Sequence, residues 1–269
     1  MSTLAVVGAF MRRDFRINIS YRMSFALESV SIVFQLALFF YLSRVVDDAE
    51  LPAAQDLSGG YFGYVAVGLA LLRIVGVSTG SFSRKLNEEQ TTGTFEELMA
   101  TPASPSLIVL ASALYDLIRA TVSGLLLIAA AIVLFGLRLD LTLASIGTAA
   151  AALVGCIGLF ASLGVAVAAF TVVFKRTTAL LGMVVTMLAL LGGVYFPIEV
   201  LPDPIEKVAN ALPFTWGLDV LRASLLGGDV DPAQLAGLFG SAALLLPLAL
   251  VAFAAAVRRA RRTGTLAQY

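Results

Sequence analysis

Six stretches of this chain are long and apolar enough to cross a bilayer, and they constrain its fold more than any other feature. They are Met23–Leu42, Gly60–Ser81, Ser106–Phe135, Leu141–Phe174, Thr178–Phe196 and Ala233–Val257. About 20 largely apolar residues cover the roughly 30 Å of hydrocarbon in a membrane. Inside hydrocarbon every backbone N–H and C=O must find a partner within the segment, so such stretches are helices. The expected fold is an all-α membrane protein of six transmembrane helices. The third and fourth stretches can also tilt, or extend past the membrane surface. The composition agrees, at 59% hydrophobic and 13% charged, about half the charge of a soluble domain. The first apolar run starts only near Met23 and no small-residue cleavage site follows it, so it is expected to remain as a span.

Basic residues give the direction. With both termini cytoplasmic, the inner side holds Arg12, Arg13, Arg16, Arg22, Arg84, Lys85, Lys175, Arg176, Arg258, Arg259, Arg261 and Arg262. The outer side holds Arg44, Arg138, Lys207 and Arg222, and Arg73 and Arg119 fall within spans. That bias is the positive-inside pattern and requires an even number of crossings. Eighteen basic residues balance eighteen acidic ones, so nothing favours nucleic acid as a partner. The absence of histidine removes histidine bases, histidine-dependent triads and histidine-ligated zinc. The single cysteine, Cys156, sits in an apolar run and reads as a packing residue.

Three segments outside the spans carry pattern. Over 1–22, Leu4, Val7, Met11, Phe15 and Ile19 recur at close to helical spacing, with Arg12, Arg13 and Arg16 on the other side. This reads as an amphipathic helix lying in the inner interface among membrane lipids, or else as a basic flanking tail. The cytoplasmic segment 83–102 contains Thr94 and Glu97 in a capping-box spacing, with Gly93 before and Pro102 and Pro105 after. A short helix is expected there, presenting Phe95, Leu98 and Met99 beside Glu96 and Glu97. Such a helix suits a protein partner; a solvated connection is the plainer alternative. The external segment 197–228 is cut by Pro202, Pro204 and Pro213 into two short pieces mixing apolar and charged residues. Two half-helices dipping into the outer interface are expected, with Trp216 at the membrane–water boundary.

Glu28, Gln35, Arg73, Asp116 and Arg119 fall inside the first three spans. Charges there are costly and must pair or face a wet cavity. Asp116 and Arg119 are three residues apart on one helix and can meet; Glu28 and Arg73 are a second candidate pair. The patch can line a pathway or hold a substrate headgroup, clamp three helices together, or relay protons. The glycine pairs Gly59/Gly63 and Gly76/Gly80 permit close helix approach, a weak signal in lipid-phase helices. Gly192-Gly193 loosens the outer end of the fifth stretch.

The chain has no G-x-x-x-x-G-K-[ST] phosphate loop and no histidine to complete a nucleophile triad, so it neither cradles ATP phosphates nor reads as an enzyme. The run Glu88-Glu89 to Pro102, with Gly93-Thr94-Phe95-Glu96, Leu98, Met99 and Thr101-Pro102, resembles the loop of type-two permeases of ATP-binding-cassette (ABC) transporters, roughly E-x-x-x-G-T-[LF]-E-x-L-x-x-[ST]-P. The likeness extends over nearly the whole chain, to the segment Leu212-Pro213-Phe214-Thr215 and Leu221-Arg222. It implies one permease domain over 1–269, with 83–102 docking on a separate nucleotide-binding ATPase that carries ATP and Mg while this chain binds no cofactor. It also implies a second permease copy, as a homodimer or a heterodimer, and outward transport of a drug, lipid or lipid-linked glycan across the cell (plasma or inner) membrane. The competing readings are an ion-gradient-driven transporter and a lipid-modifying membrane enzyme.

Overall fold

The computed structural model describes residues 22–45, 57–91, 105–174 and 178–263, with Gly8, 11–13 and 15–16 near the N-terminus. Among the described residues there are helices and no strands. They are α1 (Arg22–Leu42), α2 (Gly60–Thr91), α3 (Pro105–Phe135), α4 (Leu143–Phe174) and α5 (Thr178–Leu191). A single 3-10 turn (Ile198–Val200) follows, then α6 (Asp203–Asn210), α7 (Pro213–Leu226) and α8 (Pro232–Thr263). Among the described residues four stretches are long and apolar enough to cross a membrane: Gly60–Ser81, Leu114–Phe135, Leu143–Thr171 and Pro232–Arg259. Ala26–Leu42 and Leu181–Leu191 are apolar but shorter.

Helix ends follow local chemistry. Proline opens α3, α7 and α8, where a missing N–H leaves no intrahelical bond unmade. The fifth stretch was expected to reach Phe196, but α5 stops at Leu191. Gly193 turns the chain with a φ of +73°, a left-handed conformation that glycine adopts without steric cost, and Pro197 starts the next turn. The second stretch errs the other way: α2 continues from Ser81 to Thr91 as one 32-residue helix. The added sequence is rich in Arg, Lys, Glu and Gln, good helix formers that need no hydrocarbon around them. Residues 83–91, expected as the start of a loop, are therefore helix.

α2 is the hub. Its apolar part is 78% buried, against 22% for that of α8, and it packs on α1, α3, α4, α5 and α7. α4 forms the second layer between α2 and α8 and also supports α7. Around the N-terminal end of α2, Phe40, Phe62 and Phe135 pack with ring centroids 5.0–5.8 Å apart. Met23, Leu27, Val30, Phe34 and Leu38 leave α1 with an exposed apolar stripe, and Leu244, Leu248 and Val251 do the same on α8. The glycine pairs play unequal parts. A Cβ at Gly63 would lie 2.7 Å from Ser58 O and 3.3 Å from Leu226, whereas Gly76 has only an ordinary contact with Val185.

Candidate functional site

Polar chemistry inside the bundle gathers at two levels. At the first, Glu28 of α1, Arg73 of α2 and Ser123 of α3 close a triangle. Arg73 Nη2 donates to Glu28 Oε1 at 3.1 Å and Arg73 Nε to Ser123 Oγ at 2.7 Å, while the Ser123 hydroxyl donates to Glu28 Oε1 at 2.8 Å. Arg119 Nη2 stands 4.0 Å from Glu28 Oε2. Further along α2, Arg84 reaches Asp116 of α3 at 3.9 Å. The structure therefore joins Glu28, Arg73 and Arg119 through one carboxylate and gives Asp116 a partner on the neighbouring helix. Sequence reasoning had paired Asp116 with Arg119 and had counted Arg84 only as an inner basic charge. Ser123 went unnoticed, although it lies four residues after Arg119 on the same helix face.

The residues expected to dock on an ATPase fall at the edge of what is described. Glu88 and Glu89 lie in the last turns of α2, past its apolar part. Gly93, Thr94, Phe95, Glu96, Leu98, Met99, Thr101 and Pro102 lie outside the described residues, as does the short helix expected from Thr94. Of the segment 1–22, Gly8, 11–13, 15–16 and Arg22 are helical, and the remainder lies outside them.

The second level is the helical insert. α6 matches the expected amphipathic piece, with Ile205 and Val208 exposed beside its charges. α7 packs into the bundle along much of its length: Phe214, Leu218, Val220, Leu221 and Leu226 are buried against α4, α8 and α2. Apolar residues surround α7, and a Cβ at Gly217 would collide with Cys156 Sγ of α4, so only glycine allows the two helices to come so close. Cys156 is buried. The corner between α6 and α7 is braced by side chains reaching back to the end of α6. Thr215 Oγ1 donates to Ala209 O at 2.8 Å and Trp216 Nε1 to Asn210 O at 2.7 Å. At its other end, Leu225 O and Leu226 O accept from Asp140 N and Ser58 N, both at 2.8 Å.

Arg222, placed among the outer loop charges on sequence alone, is 3% exposed inside the bundle. Its guanidinium carbon lies 3.3 Å from the centre of the Tyr64 ring. Its Nε donates to Tyr64 O at 3.1 Å, and its Nη2 to Gly193 O at 2.8 Å and Val194 O at 3.4 Å. A buried cation held by carbonyl dipoles and an aromatic face is the arrangement such burial demands. Burial lowers the Arg222 pKa from its usual value. One turn earlier, burial pushes the Asp219 carboxyl up to about 6, with Arg222 pulling it down and Glu199 pushing it further up.

Two cavities of about 420 and 460 Å³ open between the helices and are lined almost wholly by aliphatic side chains. They offer room for hydrocarbon and hardly any polar group to select a solute. Among the described residues no cluster of His, Cys, Asp or Glu is placed to hold a metal. The apolar cavities and long apolar helices suit a chain embedded in a membrane.

Comparison with known proteins agrees. A stretch of 76 residues is 30% identical to nodulation protein J of Neorhizobium galegae, covering 28% of this chain and 29% of that protein. Residues 5–226, more than half of the chain, match the ABC-2 type transporter family. The chain is a membrane protein of the ABC-2 type transporter family.

Proposed function

We propose that this chain is the permease subunit of an ABC exporter, moving an amphipathic or apolar solute outward with ATP hydrolysed on a separate nucleotide-binding subunit. The observation that carries the reading is α2: a helix held in the centre of the bundle that continues past its apolar part to Thr91, directly ahead of the segment resembling a docking loop. In this reading α1 to α5 and α8 are the six crossings, both termini are cytoplasmic and the membrane is the cell membrane. The single permease domain over 1–269 pairs with a second copy, as a homodimer, with lipids around it. The bare apolar stripe of α1 supports both lipid and partner contacts.

ATP binding closes two ATPases, which press on Phe95, Glu96, Leu98 and Met99. The push displaces α2 and α3, which this segment joins. ATP and Mg belong to the ATPase, and only differential affinity for nucleotide between two conformations can drive the cycle. The inner cluster of Glu28, Arg73, Ser123 and Arg119 acts as a clamp that keeps α1 in step with α2 and α3.

Co-purification with an ABC ATPase, followed by solute-stimulated ATP hydrolysis in proteoliposomes, tests the reading. Solute transport by the purified chain without any nucleotide-hydrolysing companion would refute it, as would labelling of 83–102 from outside the cell.

A further inference from the structure

The buried arginine of α7 ties together three elements that share no sequence neighbourhood. Arg222 bonds at once to the backbone of α2 at Tyr64 and to the turn after α5 at Gly193 and Val194. Only a planar fork of donors reaches acceptors on two elements in fixed directions; a lysine or an apolar residue does not. The slot is cut to fit. Gly68 lies one turn beyond Tyr64 on α2, and a Cβ there would sit 2.8 Å from Val194 O and 3.0 Å from Arg222 Nη2. Tyr61 adds a second tie to the same region, its hydroxyl donating to Tyr195 O at 3.0 Å. The clamp thus grips the outer end of a helix of 32 residues, about 48 Å long, whose other end leads to the cytoplasmic docking segment.

We propose that Arg222 is a positioning residue that makes the outer end of α2, the turn after α5 and the helical insert move as one body, so that a displacement of α2 from the cytoplasmic side is delivered to the insert. The proposal rests on the reading above that an ATPase drives α2. A chain of rigid helix and directional hydrogen bonds transmits motion only while each bond holds its geometry. Breaking the clamp therefore separates the motor from the outer end of the permease without disturbing the docking segment.

The test uses the full chain with its co-purified ATPase in proteoliposomes. An Asn210→Cys substitution on exposed α6 is labelled with a membrane-impermeant maleimide, with and without ATP, with buried Cys156 left in place. An unaltered labelling rate on adding ATP to a chain with intact Arg222 would sink the ATP-driven reading itself. Given that change, R222Q, R222K and G68A are compared. Each is expected to assemble, to hydrolyse ATP, and to lose the ATP-dependent change in labelling. Transport should fall by about tenfold or more, the fold-change of roughly one lost charge-assisted hydrogen bond. G68A displaces the same parts while keeping the arginine, so it carries the test if the arginine variants fail to insert. Full ATP-dependent labelling and transport in an assembled variant would overturn the proposal. So would failure of all three variants to assemble, which would assign Arg222 to folding alone.

Discussion

Removing Glu28 should cost more than removing both Glu28 and Arg73. The reasoning starts from the 3.1 Å contact between Arg73 and Glu28, which at an effective dielectric constant of about 20 is worth about 5 kcal/mol before desolvation is counted. The two side chains are 20% and 23% exposed, so desolvation offsets part of that, and a net coupling of about 2–3 kcal/mol remains. Arg119 stands farther off, at 4.0 Å from the other carboxylate oxygen, beyond hydrogen-bonding distance, so its share is the smaller. Glu28→Gln withdraws the shared carboxylate from two arginines and leaves Arg73 with Ser123; adding Arg73→Gln removes the more buried of the two cations. The expected order of destabilisation is Glu28→Gln above Arg73→Gln, and both well above Arg119→Gln, with the double variant recovering about 2–3 kcal/mol relative to the sum of the singles. Equilibrium unfolding in mixed micelles of increasing denaturing-detergent fraction measures each corner of the cycle. Single-variant effects that add to within about 0.5 kcal/mol would refute the clamp, because uncoupled groups add.

Three further outcomes are expected. Gly93→Pro and Glu96→Ala should abolish transport in vesicles while membrane insertion persists, and normal transport by the Gly93→Pro chain would count against the docking role. The Asp219 pKa is raised from 3.8 to about 6, so the folded chain keeps a proton that the unfolded chain releases. Its contribution to stability is present below about pH 4 and lost as pH rises through about 6. Asp219→Asn should therefore stabilise the protein at pH 7.5 by up to about 3 kcal/mol, and the difference from the unaltered chain should vanish near pH 4 in a thermal-unfolding series. Gly217→Ala drives a methyl group into Cys156 Sγ and should destabilise by about 1–3 kcal/mol; adding Cys156→Ala should recover most of it, and no recovery would mean that another contact sets the spacing of α4 and α7.

Hydropathy carried the helical class and most helix bounds, since hydrocarbon length and backbone satisfaction leave few alternatives. The exceptions have local causes. Gly193 shortened α5 through its left-handed backbone, and helix formers after Ser81 lengthened α2 without apolar residues to mark them. Within the inner cluster, charge cost alone pointed to Glu28 and Arg73, and helical spacing from Arg119 would have found Ser123. Arg222 was beyond such reasoning. Its surroundings in sequence are those of an outer segment, and its partners Tyr64 and Gly193 are distant along the chain. Whether an arginine near a surface turns inward is set by how its helix is rotated, and α7 takes its rotation from Gly217 meeting Cys156 on α4.

The bonds from Ser58 N to Leu226 O and from Asp140 N to Leu225 O tie the connections ahead of α2 and α4 to the last turn of α7. Both are made by main-chain atoms alone. A survey replacing side chains one at a time would find Ser58 and Asp140 tolerant and score the region as free to vary. Proline, which deletes the amide hydrogen itself, would break the seam at once. The seam thus depends on the path of the backbone at Ser58 and Asp140 and hardly on which side chains stand there.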